Sequence, residues 1–583
     1  MSRFSSITRL AIVIVGVGTL CTAAFVASDG FIKYLLGIET KDLGWGPTLF
    51  RVLLAFHGIL LVCVGIGWSR LTRLSNVETS EFSAKCDSRI SVSTWTILII
   101  LSVIGLILRL WNLNSDLWID EVFTLIDIVR LPFGEIVTSF ASQNQHMLFS
   151  VLAWGSTLLF GESPWSFRLP SVLFGVGSIW ALFFLCHRLL GIREALFASA
   201  LMTFSYHHIW FSQNARGYMG LLFFTLLATW FWFEALEKSE WSWWLAYAMA
   251  IVLGMWIHMT MAFVVAAHGL QYLLALLFPR LVGNDSLIER RAGIRPIAAW
   301  FLSVSCTLQL YALSLPEFLS VGLHEESKNS EWTNPIWVVT ESIQGLSIGF
   351  AGVSVVILGG AFVAFGWLAL LRKNARLAIL TILPAILAGV TMLALGHNLW
   401  PRFFFFSMGF GIMIVVHGAM LLPEAISERV QILRNHPKLA HSAGVALVSL
   451  LIIASLVTIP RNYALPKQDF SGARDYVESQ RLPGENVVAV GLADVMYPKY
   501  FAPGWAAVKT GDELEMIDRS DQKIWLVYTI PIEIKAFRPD LWTVIQRDYD
   551  VVKVFPGTLN GGEIYVCRKR DVNPSENGTS KQL

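Results

Sequence analysis

Two adjacent carboxylates, Asp120 and Glu121, stand a few residues after an apolar run of membrane length, Thr94 to Trp111. Ionisable groups at a bilayer are costly to keep and by default mark a working site. Side by side at a low-dielectric interface they repel, which raises the proton affinity of one and suits it to take a proton from a hydroxyl. The competing reading is a helix N-cap at Asp120, with Glu121 favoured near the positive end of the helix. Cations that could meet an anionic substrate follow later: Arg216 in Ser212-Gln213-Asn214-Ala215-Arg216-Gly217-Tyr218, and Arg402 in His397-Asn398-Leu399-Trp400-Pro401-Arg402. A guanidinium grips phosphate oxygens as a bidentate fork, so these arginines suit a lipid-linked phosphate. Snorkelling to lipid headgroups is the ordinary use of an arginine at a span end, and it covers Arg168. His146 and His258 stand where apolar helices start and can reach a phosphate or a hydroxyl, although a lone interfacial histidine is commonly no more than hydrogen-bonded. Asp120, Glu121 and the cluster His324-Glu325-Glu326 offer hard ligands to a divalent cation, but no ligand spacing calls for one, and the cluster reads as a solvated loop tip.

The elements that must position these groups are membrane spans. Of 583 residues 55% are hydrophobic and 15% charged, a balance that implies a polytopic α-helical membrane protein. A net charge of +2 with no long block of like charge gives no basis for a nucleic-acid partner. A ruler of roughly 20 apolar residues per crossing gives about 13 spans: 8–28, 48–68, 94–113, 168–186, 195–211, 218–236, 241–257, 259–278, 297–315, 352–371, 377–396, 403–422 and 441–459. With the N-terminus inside, four basic connections share the cytoplasmic face, as the positive-inside rule expects. They carry Arg70, Arg73, Lys85 and Arg89; His187, Arg188 and Arg193; Arg280, Arg290, Arg291 and Arg295; and Arg372, Lys373 and Arg376. The loops Asn112 to Phe167 and Pro316 to Pro335, rich in Asp and Glu, then lie outside. Apolar stretches 146–160 and 335–350 are expected as helices along the outer surface, because Trp154, Trp165, Trp332 and Trp337 favour the interface.

After Pro460 the composition turns soluble. Short β-rich runs at Asn486 to Val490, Lys523 to Tyr528, Val551 to Phe555 and Glu563 to Cys567 alternate with helix-like stretches, which predicts a small α/β domain on the extracytoplasmic side. The polar tail 572–583 is expected to be disordered. Six cysteines scattered through apolar runs and connections form no disulfide framework. Arg3 and Arg9 before the first apolar run suggest a signal peptide or a retained first span; the poor small-residue cleavage pattern favours the span.

In this order the motifs resemble those of polytopic glycosyltransferases of the GT-C superfamily, of the protein O-mannosyltransferase and aminoarabinose transferase type. The resemblance rests on Leu117-Trp118-Ile119-Asp120-Glu121, then Gln145-His146-Met147-Leu148-Phe149, then Phe160-Gly161-Glu162-Ser163 with Arg168-Leu169-Pro170-Ser171. Ala215-Arg216-Gly217-Tyr218 and Pro401-Arg402-Phe403 complete the set. Met147 and Leu148 replace the prolines of the family pattern, and Phe403 replaces a tyrosine. The resemblance divides the chain into a two-span extension and cytoplasmic loop (1–93), a GT-C-like transmembrane core (94–460), the soluble domain (461–571) and the tail (572–583).

The resemblance implies transfer of a sugar from a polyprenyl-phosphate carrier to an acceptor hydroxyl of a lipid, glycan or protein on the outer face, with inversion at the anomeric carbon. It makes Asp120 the base and Glu121 the neighbour that tunes or orients it. His146, Arg216, Tyr218, His258 and Arg402 become substrate-binding residues, and no cofactor is required. A lipid phosphate leaves readily and needs cations rather than a general acid. A flippase or transporter of a lipid-linked sugar is the main competitor; it should carry charge at the membrane midplane, where these spans have almost none. A scaffold acting through 461–583 is another.

Overall fold

The structure is a computed structural model describing residues 2–76, 90–140, 142, 144–238, 240–278, 292–322, 334–349, 353–430, 437–518 and 524–570. The His324-Glu325-Glu326 cluster, Trp332, Lys85, Cys86, Arg89, Arg280, Arg290, Arg291 and the tail 572–583 lie outside the described residues. The chain forms two compact units: Met1–Leu113 with Thr124–Ile459, and Asn114–Phe123 with Pro460–Leu583.

The first unit is helical. Eight helices among the described residues are long and apolar enough to cross a membrane: Ser6–Val26, Gly46–Gly67, Val92–Leu110, Pro164–Leu189, Tyr218–Lys238, Ala375–Ala394, Pro401–Arg429 and Lys438–Ala464, the last running on into the second unit. These eight coincide with eight of the roughly 13 spans expected from the apolar-length ruler. Trp241–Ile257, Met261–Leu277 and Arg295–Tyr311 have 17 residues each, about 26 Å of helix against a hydrocarbon core of about 30 Å. Val353–Lys373 is a helix where a further span was expected.

The span expected at 195–211 is broken. Ile192–Phe204 and Tyr206–Ser212 are separate helices, because Ser205 turns extended and its side chain caps the second. Arg109, fully buried in the last turn of Val92–Leu110, meets the break. Its guanidinium donates to the Met202 and Thr203 carbonyls at 3.3 and 3.4 Å and to Ser212 Oγ at 3.1 Å. A cation on the carbonyl end of a helix satisfies groups that the backbone leaves open. Helices Pro164–Leu189 and Tyr218–Lys238 are buried around most of their circumference and carry the core through Leu182, Phe183, Leu222 and Leu226, with Met413 and Val416 packed against them. Met147–Phe160 and Pro335–Gly349 are helical, as the surface-helix reading expects of their backbone.

The second unit holds a five-stranded sheet, ordered β2-β1-β3-β5-β4. Its strands are β1 Asn486–Val490, β2 Ala506–Val508, β3 Ile524–Thr529, β4 Tyr549–Phe555 and β5 Ile564–Lys569. β1 pairs in parallel with β2 and β3, while β5 runs antiparallel to β3 and β4. All six residues of β3 are buried, so that central strand reads as a continuous apolar run rather than an alternating one. Val488, Leu526, Ile534, Leu541 and Ile545 form the core between sheet and helices. The helical stretch breaks at Arg538 into Pro531–Phe537 and Pro539–Asp548, and Pro539 opens the second helix, where its missing N–H has no helical partner to lose.

Candidate active site

In the second unit the acid pair lies in the first turn of the short helix Ile119–Thr124. Asp120 is therefore inside the helix rather than its N-cap. The capping contact belongs to Glu121, whose Oε2 accepts the Trp118 N–H at 3.2 Å, the reach-back half of a capping box. Glu121 is fully buried, and its Oε1 lies 3.8 Å from Lys467 Nζ. Ile119 N–H donates to Gln468 Oε1 at 3.0 Å. Asp116 accepts from the backbone N–H and the hydroxyl of Ser471, at 2.7 and 2.8 Å. Burial raises the Asp116 carboxyl above its ordinary range, and the Ser471 bonds hold the rise back. Asp120 itself is half-buried.

In the first unit four of the expected binding residues form one stack. His146, which starts the helix Met147–Phe160, stacks on His258 with ring centres 4.7 Å apart. Tyr218 stands 5.4 Å from each ring, and the Arg216 guanidinium lies 5.8 Å from the Tyr218 ring centre. Gly217 permits the approach: a Cβ there would lie 2.6 Å from the Ile257 carbonyl and 3.0 Å from the His146 ring. The buried Arg216 fork is aimed by Asn144, through its side-chain and backbone oxygens at 3.0 and 3.3 Å, and by Thr124 Oγ1 at 2.9 Å.

The two imidazoles have opposite tautomers. His258 Nδ1 accepts the Thr260 backbone N–H at 3.2 Å, so its proton sits on Nε2. His146 donates to the Ile257 carbonyl, and its buried Nε2 has no hydrogen-bond partner among the described residues, which leaves Nε2 as the bare acceptor. Burial first, then Arg216 and Arg402, depress the His258 pKa to about 3; burial followed by Arg216, His258 and Arg402 holds His146 well below its ordinary value. Both rings are neutral at pH 7, one a donor and one an acceptor.

Arg402 is the second residue of the 3-10 segment Pro401–Ser407 and lies 5.0 Å from the Trp400 ring centre, with Trp337 against the same indole at 5.6 Å. Its influence on His146 and His258 puts it in the field of the stack. Arg168 is buried and donates to the Leu113 carbonyl at 2.9 Å, a structural use. Sequence reasoning missed Asn144, Thr124 and Thr260, which aim the cations and rings, and Lys467 and Gln468, which hold the acid pair. Local patterning carries no signal for Asn144, Thr124, Lys467 and Gln468, since each acts through a residue brought close by folding, while Thr260 lies two residues from the ring it orients. Among the described residues no group of three or more His, Cys, Asp or Glu forms a metal site.

Residues 145–284 match the family described as dolichyl-phosphate-mannose-protein mannosyltransferase, a stretch that takes in His146, Arg216, Tyr218 and His258. The putative mannosyltransferase YkcB of Bacillus subtilis is 34% identical over 161 residues, covering 28% of this chain and 22% of that protein. The chain thus aligns with little more than a fifth of that relative's length. The crystal structure of ArnT from Cupriavidus metallidurans bound to undecaprenyl phosphate is similar at 13% identity and a TM-score of 0.46, over 82% of this chain and 98% of that one. The Archaeoglobus fulgidus oligosaccharyltransferase in its apo form is similar at 10% identity and a TM-score of 0.48, over 81% and 74%. Likeness at that level says nothing of individual residues. Over residues 145–284 the family match agrees with the resemblance to protein O-mannosyltransferases read from the ordered motifs.

Proposed function

We propose that the protein is a membrane glycosyltransferase that moves a sugar from a polyprenyl-phosphate carrier to an acceptor hydroxyl of a lipid, glycan or protein at the extracytoplasmic face. The observation that carries this reading is the stack of His146, Tyr218 and His258 with the braced Arg216 fork, inside the segment that matches the mannosyltransferase family. Asp120 takes the acceptor proton as the acceptor oxygen bonds to the anomeric carbon. The carbon–oxygen bond to phosphate breaks on the opposite side, so the anomeric centre inverts, and the phosphate departs with the electron pair. Arg216, Arg402 and the His258 Nε2–H receive that charge, while His146 Nε2 accepts a hydroxyl of the sugar. With two guanidinium groups to receive the phosphate charge, the step requires no metal.

In this reading the chain crosses the membrane about 13 times, counting with the eight long helices the three of 17 residues, Val353–Lys373, and the broken pair Ile192–Phe204 and Tyr206–Ser212 as one crossing. The N-terminus is cytoplasmic and the sheet domain extracytoplasmic. The test is transfer by the purified protein in lipid from a panel of polyprenyl-phosphate sugars, with Asp120→Asn beside it. A folded Asp120→Asn should lose roughly 100- to 10,000-fold in rate, the ordinary contribution of a general base. Carrier binding with no transfer by either protein would point instead to a transporter of the lipid-linked sugar.

A further inference from the structure

We propose that Lys467 and Gln468, where the chain enters the sheet domain, are the positioning residues of the acid pair: Lys467 keeps Glu121 ionised and Gln468 anchors the start of the helix that carries Asp120. This rests on the transferase reading for its catalytic consequence. The contacts themselves all lie within the second unit.

Glu121 is 0% exposed and the Lys467 side chain 7%, so two buried charges of opposite sign face each other. A carboxylate in that position takes up a proton when its cation is removed, because an unpaired buried charge costs more than a shifted protonation state. Gln468 has its amide orientation dictated by chemistry. Its Nε2 faces the Gly562 carbonyl at 3.0 Å, which only accepts, and Thr529 Oγ1 at 3.1 Å, while its Oε1 faces the Ile119 N–H. The amide thus links the end of β3 and the turn before β5 to the first residue of the acidic helix. The Thr558 and Leu559 N–H groups hold the Pro466 and Lys467 carbonyls at 2.9 and 3.1 Å. A Cβ on Gly557 would lie 2.2 Å from the Lys467 carbonyl oxygen, so this loop is pressed against the anchor. With Ser471 on Asp116, three neighbouring side chains tether residues 116 to 121 at both ends, and Asp120 has its place set between them.

The test is a double-mutant cycle in the full-length protein, Lys467→Met and Glu121→Gln singly and together, read by thermal unfolding and by kcat and KM. Lys467→Met is expected to lower the unfolding temperature, and the double variant to recover most of the loss, since removing both charges leaves no orphan. Infrared spectra of Lys467→Met at pH 7 should gain a protonated-carboxyl band that the double variant lacks. Displacement of the acid helix should lower kcat by up to about 100-fold with the KM for the lipid donor unchanged, and Lys467→Arg should restore it. Gln468→Glu, which cannot donate to Gly562, should lower kcat in the same way. Additive effects of the two charge variants and no new infrared band would overturn the pairing. Strong coupling with kcat intact in folded Lys467→Met and Gln468→Glu would overturn the positioning role. Neither outcome touches the transferase reading, which falls if transfer survives Asp120→Asn; the cycle and the infrared band then still decide the contact.

Discussion

At the scale of the residue, the cations of the first unit differ in how they are held. Arg216 is buried and forked onto Asn144 and Thr124, whereas Arg402 rests on the face of Trp400. A lysine at 216 keeps the charge but cannot fill two directions at once. Arg216→Lys should therefore cost about 100-fold in kcat/KM, the scale of one lost oxyanion donor, and Arg402→Lys clearly less, measured with a single donor under the same conditions. His258 offers a test by pH. Its folded-state pKa of about 3 lies below its ordinary 6.5, so the unfolded chain binds a proton that the folded chain does not as pH falls through 6.5. Stability is present above that value and is lost on acidification toward 3, with His146 adding in the same direction. The unfolding temperature in detergent should drop between pH 7.5 and 5, and His258→Asn should flatten the dependence. A dependence that steepens in that variant would remove the buried neutral ring from the account.

At the scale of the element, two short devices do the aiming. The helix Ile119–Thr124 is too brief to stand on propensity; Glu121 closes its N-terminus on Trp118 and Gln468 takes the Ile119 N–H. Ala215-Arg216-Gly217-Tyr218 brings its arginine and tyrosine to the histidines because glycine at 217 lets the strand of chain pass against Ile257 and His146. Gly217→Ala forces a methyl into that contact, and overpacking of this kind costs about 1–3 kcal/mol. The folded variant should bind a polyprenyl phosphate more weakly by at least tenfold, read by calorimetry, whereas Gly155→Ala, where a Cβ meets nothing, should leave binding unchanged.

At the scale of the molecule, the two units do not follow the order of the chain. The acidic segment 114–123, early in sequence, is compact with the last 124 residues rather than with the helices that flank it. A chain ending at Pro460 retains every residue assigned to the reaction and loses Lys467, Gln468 and Ser471. It should bind a polyprenyl phosphate through the His146, Arg216 and His258 stack and yet transfer no sugar. Transfer by that truncated chain would show that the acid pair needs nothing from the sheet domain.

What the amino-acid sequence by itself determined is whatever short-range chemistry decides. Apolar runs place the eight long helices, and alternating and continuous apolar patterns place β1, β3, β4 and β5 within a few residues, because burial acts on each segment alone. The acid pair, Arg216, Arg402 and the two histidines were legible as chemistry because charge and imidazole are conspicuous in an apolar chain. The break at Ser205, where Arg109 reaches Met202 and Thr203 from another helix, was not. Nor were the tautomer of His146, the aim of the Arg216 fork, or the pairing of Glu121 with Lys467 across 346 residues of chain. Those are contacts between distant segments, and only the packed chain brings their partners within hydrogen-bonding or ion-pairing reach.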